Sequence, residues 1–226
     1  MKKSELKKTI RDSLGLNDKK LNEAYVVQAQ KYRLPTELLS EKNKAAHQEL
    51  MENYVKSLNE VSARLDSVDK DEANLNYSEF RSLKIDEVYN LNAAFLHAMF
   101  FENVSDVNSV ITMDSMAFMR LERDFGSFEN WQKDFIACGL SARNGWVVTV
   151  YNSFLRRYMN VVVDLHHQNI PFGSFVCIVV DCWEHSYCKD YLKDRKTYLY
   201  AMMKELNWKT IENRFNKAEK INKVIS

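Results

Sequence analysis

The sequence predicts an α+β protein: an N-terminal antiparallel helical hairpin, then a C-terminal unit with a three-stranded antiparallel sheet flanked by helices. Three observations predict it. Two long stretches carry apolar residues at helical spacing and are joined by a polar segment, Asp66 to Asn76. Three β-rich runs crowd into residues 146–180, with turn-like residues between them. Only two prolines and five glycines occur in 226 residues, which argues against an all-β or loop-rich fold.

Residues 1 to about 30 are rich in Lys, Asn and Asp, with Leu6, Ile10, Leu14 and Leu21 at helix-compatible spacing and a break near Gly15. They read as a solvated, partly frayed helix or as a docking arm for a larger assembly. The first hairpin helix starts at Pro35-Thr36 and reaches about Leu65, with Leu38, Leu39, Ala46, Leu50, Val55 and Leu58 along one side. The second, from about Ile85 to Asn103, is so dense in apolar and aromatic residues that it reads as buried on all sides. Two shorter helices follow, Met113 to Phe125 and Phe128 to Leu140, with Gly126 between them. The strands are Trp146–Tyr151, Met159–Leu165 and Phe175–Val180, and terminal helices span 186–206 and about 208–222. The organisation is an extension over 1–30, a hairpin domain over 31–104 and an α/β domain over 105–226.

Composition sets further bounds. Hydrophobic residues make up 46% and charged residues 28%, the balance of a soluble globular chain. A net charge of +1 gives no reason to expect nucleic acid. No apolar run approaches a membrane span, and Met1-Lys2-Lys3-Ser4-Glu5 lacks the apolar core of a secretion signal. The four cysteines (Cys138, Cys177, Cys182, Cys188) form no CxxC pair and read as reduced. The expected setting is cytoplasmic, with membership of a large particle as the other possibility.

The chemistry gathers at Asp181-Cys182-Trp183-Glu184-His185, directly after the third strand. A carboxylate at a strand end and an imidazole in the next turn can converge on one point, and both suit manganese or iron. The competing reading makes Asp181 a helix N-cap and His185 an ordinary polar residue. Of the five histidines, His97 stands in the middle of the apolar second helix, where an imidazole must find a partner. It is either a satisfied core histidine or a ligand.

The surrounding text resembles the iron/manganese superoxide dismutase family. Asp181-Cys-Trp-Glu-His-Ser-Tyr, Asp190-Tyr191, Arg195 and Leu206-Asn207-Trp208 are similar to that family's Asp-Val-Trp-Glu-His-Ala-Tyr and the matches that follow it. The stretch Asn92-Ala93-Ala94 through His97 to Phe100-Phe101 resembles its second helix, and Phe125-Gly126-Ser127-Phe128 with Gly145-Trp146 resembles its middle. Tyr54-Val55-x-x-Leu58-Asn59 resembles the segment that carries its funnel tyrosine. The resemblance covers about residues 31 to 215 and implies the iron/manganese superoxide dismutase fold.

It also implies a metal-dependent superoxide dismutase, an antioxidant oxidoreductase turning superoxide into oxygen and hydrogen peroxide at one manganese or iron ion. The implied ligands are His47, His97, Asp181 and His185; zinc there would give an inert site. His47 lies seven residues before Tyr54, where the family has eight. The missing residue turns the helix by about 100° and calls for a bulge or a kink. Tyr54 and Gln168 are the implied catalytic residues, with Gln168 holding metal-bound solvent and His167 in its place if the register shifts by one. Glutamine at 168 with a small residue at 93 favours manganese. Glu184 implies a homodimer, although Cys188 replaces an interface tyrosine, Val148 a second tryptophan, and an interface histidine is missing. Those departures support a rival reading, an inactive structural subunit of a virion or ribosome. A hydrolytic metalloenzyme lacks an obvious general base.

Overall fold

The computed structural model describes residues 24–104 and 108–225. Among them run α1 (Glu41–Ser67), α2 (Glu79–Asn103), α3 (Met116–Phe125), α4 (Phe128–Ser141), β1 (Gly145–Asn152), β2 (Arg157–Asp164), β3 (Ser174–Asp181), α5 (Glu184–Tyr191), α6 (Arg195–Lys204) and α7 (Trp208–Ile225). The α+β class is as the sequence predicts. The strands form one antiparallel sheet in the order β2-β1-β3. Among the described residues, no helix is long and apolar enough to cross a membrane, and all four cysteines are free.

Helices α1 and α2 are antiparallel. Arg64 meets Glu79 at the loop end of the pair, at 2.7 Å, while His47 lies against Phe100 and Phe101 at the other end. The arm is extended where it can be seen. Residues 1–23 of the expected frayed helix lie outside the described residues, and residues 24–36 carry no helix. Asn59 holds the Val27 backbone on both sides: the Val27 N–H donates to Oδ1 at 2.7 Å and Nδ2 donates to the Val27 carbonyl at 2.9 Å. The Tyr25 N–H donates to Ser62 Oγ, and Gln48 bridges Tyr32 and Gln30.

Several element boundaries differ from the expectation, each for a local reason. The first helix starts at Glu41 rather than Pro35, because the Ser40 hydroxyl caps it by accepting from the Asn43 N–H. Residues 36–38 are instead tied to the C-terminal helices, where Thr36 Oγ1 donates to Glu205 and Tyr191 OH donates to the Leu38 carbonyl. The second helix starts earlier, at a Ser78 cap. It is not buried all round: Ile85, Val88, Leu91 and Phe95, spaced three and four apart, are 40–47% exposed. The expected 186–206 helix is two. Leu192, at a positive φ of 54°, ends α5, and Asp194 caps α6 by accepting from the Thr197 N–H.

The sheet's centre strand positions the functional end of the molecule. Every residue of β1 is buried, and Trp146 pairs with Val163 on one side and Asp181 on the other. One step earlier, Gly145 crosses the edge of β2 so closely that a Cβ would sit 1.9 Å from the Val163 carbonyl oxygen. Gly145→Ala should therefore cost about 3 kcal/mol or more, because it must push β1 and β2 apart where they pair. Gly126, which needs only its positive φ of 82° and where a Cβ would make just an ordinary 3.7 Å contact with Asn130 Nδ2, should cost about 1 kcal/mol as alanine. Thermal denaturation of both variants checks this; equal losses would remove the close-approach argument.

Candidate metal centre

Four elements each contribute one side chain to a single buried point. His47 comes from α1, His97 from α2, Asp181 from the end of β3 and His185 from the first turn of α5. One donor atom from each lies within 4.8 Å of every other. The three imidazoles aim Nε2 at the same carboxylate oxygen: Asp181 Oδ2 is 3.1 Å from His47, 3.2 Å from His185 and 3.7 Å from His97. The other carboxylate oxygen accepts from the Trp183 N–H at 2.8 Å, which sets the carboxylate plane.

Local structure explains the convergence. Asp181 is paired with Trp146 at the end of a buried strand, so its side chain cannot swing to solvent. Asn43 Nδ2 donates to the Ser186 carbonyl and to Asp190 Oδ2, both at 2.9 Å, pinning the start of α1 to α5 and so His47 to His185. Asn103 Nδ2 donates to the Val179 carbonyl at 3.0 Å, pinning the end of α2 to β3 and so His97 to Asp181. His97 Nδ1–H donates to the Ala93 carbonyl at 2.6 Å, leaving the Nε2 lone pair aimed at the centre. That buried Nε2 has no hydrogen-bond partner.

This donor set fits a single transition-metal ion. Burial by itself raises the Asp181 pKa, but the facing His185 and His47 imidazoles outweigh it and hold the carboxyl well below the usual range. Burial lowers the pKa of His47, and lowers that of His97 further. An anionic carboxylate and the lowered pKa values of His47 and His97 favour the protonation states that coordination requires.

The missing helical residue is absorbed without breaking the helix. Helix α1 is uninterrupted α-helix from Glu41 to Ser67, so the expected bulge is absent. Seven residues make nearly two full turns, which leaves His47 and Tyr54 within about 20° of one face. The Tyr54 ring lies 5.4 Å from that of His97.

Gln168 does not reach the centre; it is exposed on the surface. The turn after β2 decides this. Leu165 adopts a left-handed φ of 54° and the Gln168 N–H bonds back to the Asp164 carbonyl, which turns residue 166 inward and residue 168 outward. His167, the alternative, is half-buried beside Tyr89. The residue at the centre's edge is His166, fully buried and absent from the sequence-derived site. The available signal was Trp146, a buried indole with one N–H and no acceptor, which needs an acceptor nearby.

The bonds of His166 settle its tautomer. The indole of Trp146 can only donate, so His166 Nδ1 accepts from it, at 3.0 Å. Burial pushes the His166 pKa down to about 4, so the ring is neutral and carries its hydrogen on Nε2. That N–H donates to the Tyr54 hydroxyl oxygen at 3.1 Å. Trp183 stacks flat on the His166 ring, 5.0 Å between centroids.

Fold and site together define a protein built around a buried cluster of three histidines and one aspartate between a helical hairpin and a small sheet. The family described as iron/manganese superoxide dismutases, C-terminal domain, matches residues 114–214. A manganese superoxide dismutase of Halobacterium salinarum is 35% identical over 133 residues, 59% of this chain and 66% of its own length. An iron superoxide dismutase of Aquifex aeolicus is 30% identical over 170 residues, 74% of this chain and 79% of its own. One of Cupriavidus metallidurans, also iron, is 34% identical over 182 residues, 78% and 88% of the two chains. This chain belongs to the iron/manganese superoxide dismutase family.

The neutral His166 has a consequence for stability. Its folded pKa of about 4 lies below the ordinary 6.5, so between those values the unfolded chain takes up a proton that the folded chain refuses. This contribution is complete above about pH 6.5 and is lost as the pH falls towards 4, at most about 3 kcal/mol. His47 and His97 act in the same direction. Urea denaturation of metal-free protein at pH 7 and pH 4.5 should show a smaller difference for His166→Gln than for the wild type. An unchanged difference would mean that His166 is not held neutral.

Proposed function

We propose that this chain is a superoxide dismutase working at one manganese or iron ion held by His47, His97, Asp181 and His185. The observation that carries the reading is the convergence of three imidazole nitrogens on one buried carboxylate oxygen, with His97 Nε2 left unpartnered. The printed names of the relatives, which include both manganese and iron enzymes, support the same activity. The preference for manganese rested on Gln168 together with the small residue at 93; with Gln168 exposed, that pairing no longer favours manganese, and either metal suits the four ligands.

The bound ion supplies a one-electron couple lying between the oxidation and the reduction of superoxide. The chain supplies the rest. Two superoxide ions and two protons give one dioxygen and one hydrogen peroxide, so protons must reach a nearly dry site. Asp181 brings the single negative charge that balances a trivalent ion better than a divalent one. The Ala93 carbonyl holds the His97 ring in its coordinating tautomer. His166, kept neutral, donates to the Tyr54 oxygen and leaves the Tyr54 hydroxyl hydrogen free to be donated. Trp183 stacks on both His166 and His185 and keeps bulk water from that side. We place a homodimer contact at the exposed Glu184, at the start of α5.

His97→Ala and Asp181→Ala should each abolish metal retention, measured by elemental analysis of purified protein, while Cys188→Ala keeps its metal. Normal metal content in either ligand variant would sink the site assignment. His166→Ala should lower superoxide consumption about 10- to 100-fold with metal retained, and Gln168→Ala should leave it unchanged. The reverse order would restore the role of Gln168.

A further inference from the structure

The Tyr54 oxygen accepts from His166, which leaves the hydrogen of its hydroxyl unspent. Outside the cluster, the group that faces it is Tyr89, on α2 and two turns before His97. The two phenol rings meet edge to face at 6.2 Å. Burial raises the Tyr54 pKa, and the neighbouring Tyr89 phenol acts in the same direction. The Tyr89 ring is also edge-on to His166 at 4.7 Å and to His167 at 5.5 Å, so it is braced on two sides. Tyr89 is half-buried and spans from this cluster to solvent.

We propose that Tyr89 is a positioning residue whose hydroxyl is the outer hydrogen-bond partner of Tyr54, giving the Tyr54 hydrogen two settings, outward on Tyr89 and inward towards the cluster. This rests on the dismutase reading above. When the inward setting delivers its proton, the Tyr54 O–H bond breaks and an O–H bond forms on the reduced dioxygen. The Tyr54 oxygen then takes the Tyr89 hydroxyl proton, and water returns a proton to Tyr89. One proton has crossed from solvent and both phenols are restored. The donor polarity runs one way, Trp146 to His166 to Tyr54, so Tyr54 is the member of the chain whose hydrogen can swing.

Tyr89→Phe keeps the ring against His166 and His167 and removes only the hydroxyl. In metal-free protein labelled with 13C at the tyrosine ζ carbon, the Tyr54 signal should shift in Tyr89→Phe and the Tyr89 signal in Tyr54→Phe. If neither moves, the pairing is wrong. In manganese-loaded protein with normal metal content, Tyr89→Phe should slow turnover about tenfold and enlarge the solvent hydrogen isotope effect, less than the hundredfold or more expected when a proton donor is removed outright. In a Tyr54→Phe background it should add no further loss; additive losses would overturn the positioning role. A wild-type protein loaded with manganese and with iron that consumes no superoxide would remove the dismutase reading, while the reciprocal signal shifts would still decide the pairing.

Discussion

The structure depends on one buried charge. Asp181 is fully enclosed at the end of a strand, and an ionised carboxylate there is tolerable only because three imidazole nitrogens and a backbone N–H face it. Those partners arrive from α1, α2 and α5, and the clamps that hold those helices also hold the ligands. Asn43 ties α1 to α5 and Asn103 ties α2 to β3, so side chains that look structural set the separations within the cluster. The same array that stabilises the carboxylate in the chain alone suits a cation better still, since a metal ion would replace shared protons with direct bonds.

Around that charge lies a second layer whose logic is the direction of hydrogen bonds. A tryptophan indole can only donate, a buried neutral imidazole donates once and accepts once, and a phenol does both. Trp146, His166 and Tyr54 in series therefore have one consistent arrangement, and it leaves a single movable hydrogen, on Tyr54. A glutamine could serve the same two bonds with its carbonyl and amide ends. His166 meets the same requirement with a ring, adding flat stacking on Trp183 and an edge contact with Tyr89 that an amide would not make.

The chain's departures from its family's pattern are compatible with this arrangement. Loss of one residue between His47 and Tyr54 leaves α1 an unbroken α-helix, because seven residues return almost to the same face. Val148 is buried in the central strand, and Cys188 is half-buried on α5 beside the site rather than in it. The exposed stripe from Ile85 to Phe95 reflects a hairpin with two helices and one sheet-facing side, too few neighbours to cover an apolar helix on every face.

By itself the sequence determined the class of fold and the three strands, and its resemblance to the family pointed to the four clustered side chains. Periodicity and β-rich runs are local signals, and the Asp181-to-His185 motif sets its own spacing along a strand end and a helical turn. Boundaries were less legible, because caps at Ser40, Ser78 and Asp194 compete with apolar spacing and win through hydrogen bonds to backbone groups. The outer layer was legible only in part: the resemblance pointed to Tyr54 and Trp146 but not to His166. Which of His166, His167 and Gln168 turns inward depends on a left-handed Leu165 and a four-residue turn, a rotation that neighbouring polar residues in sequence do not reveal. Tyr89 became visible only when α2 lay against α1, since its partner is 35 residues away in the chain and meets it only through helix pairing. Tertiary structure decided that layer because hydrogen-bond direction and ring contact exist only between residues already brought together.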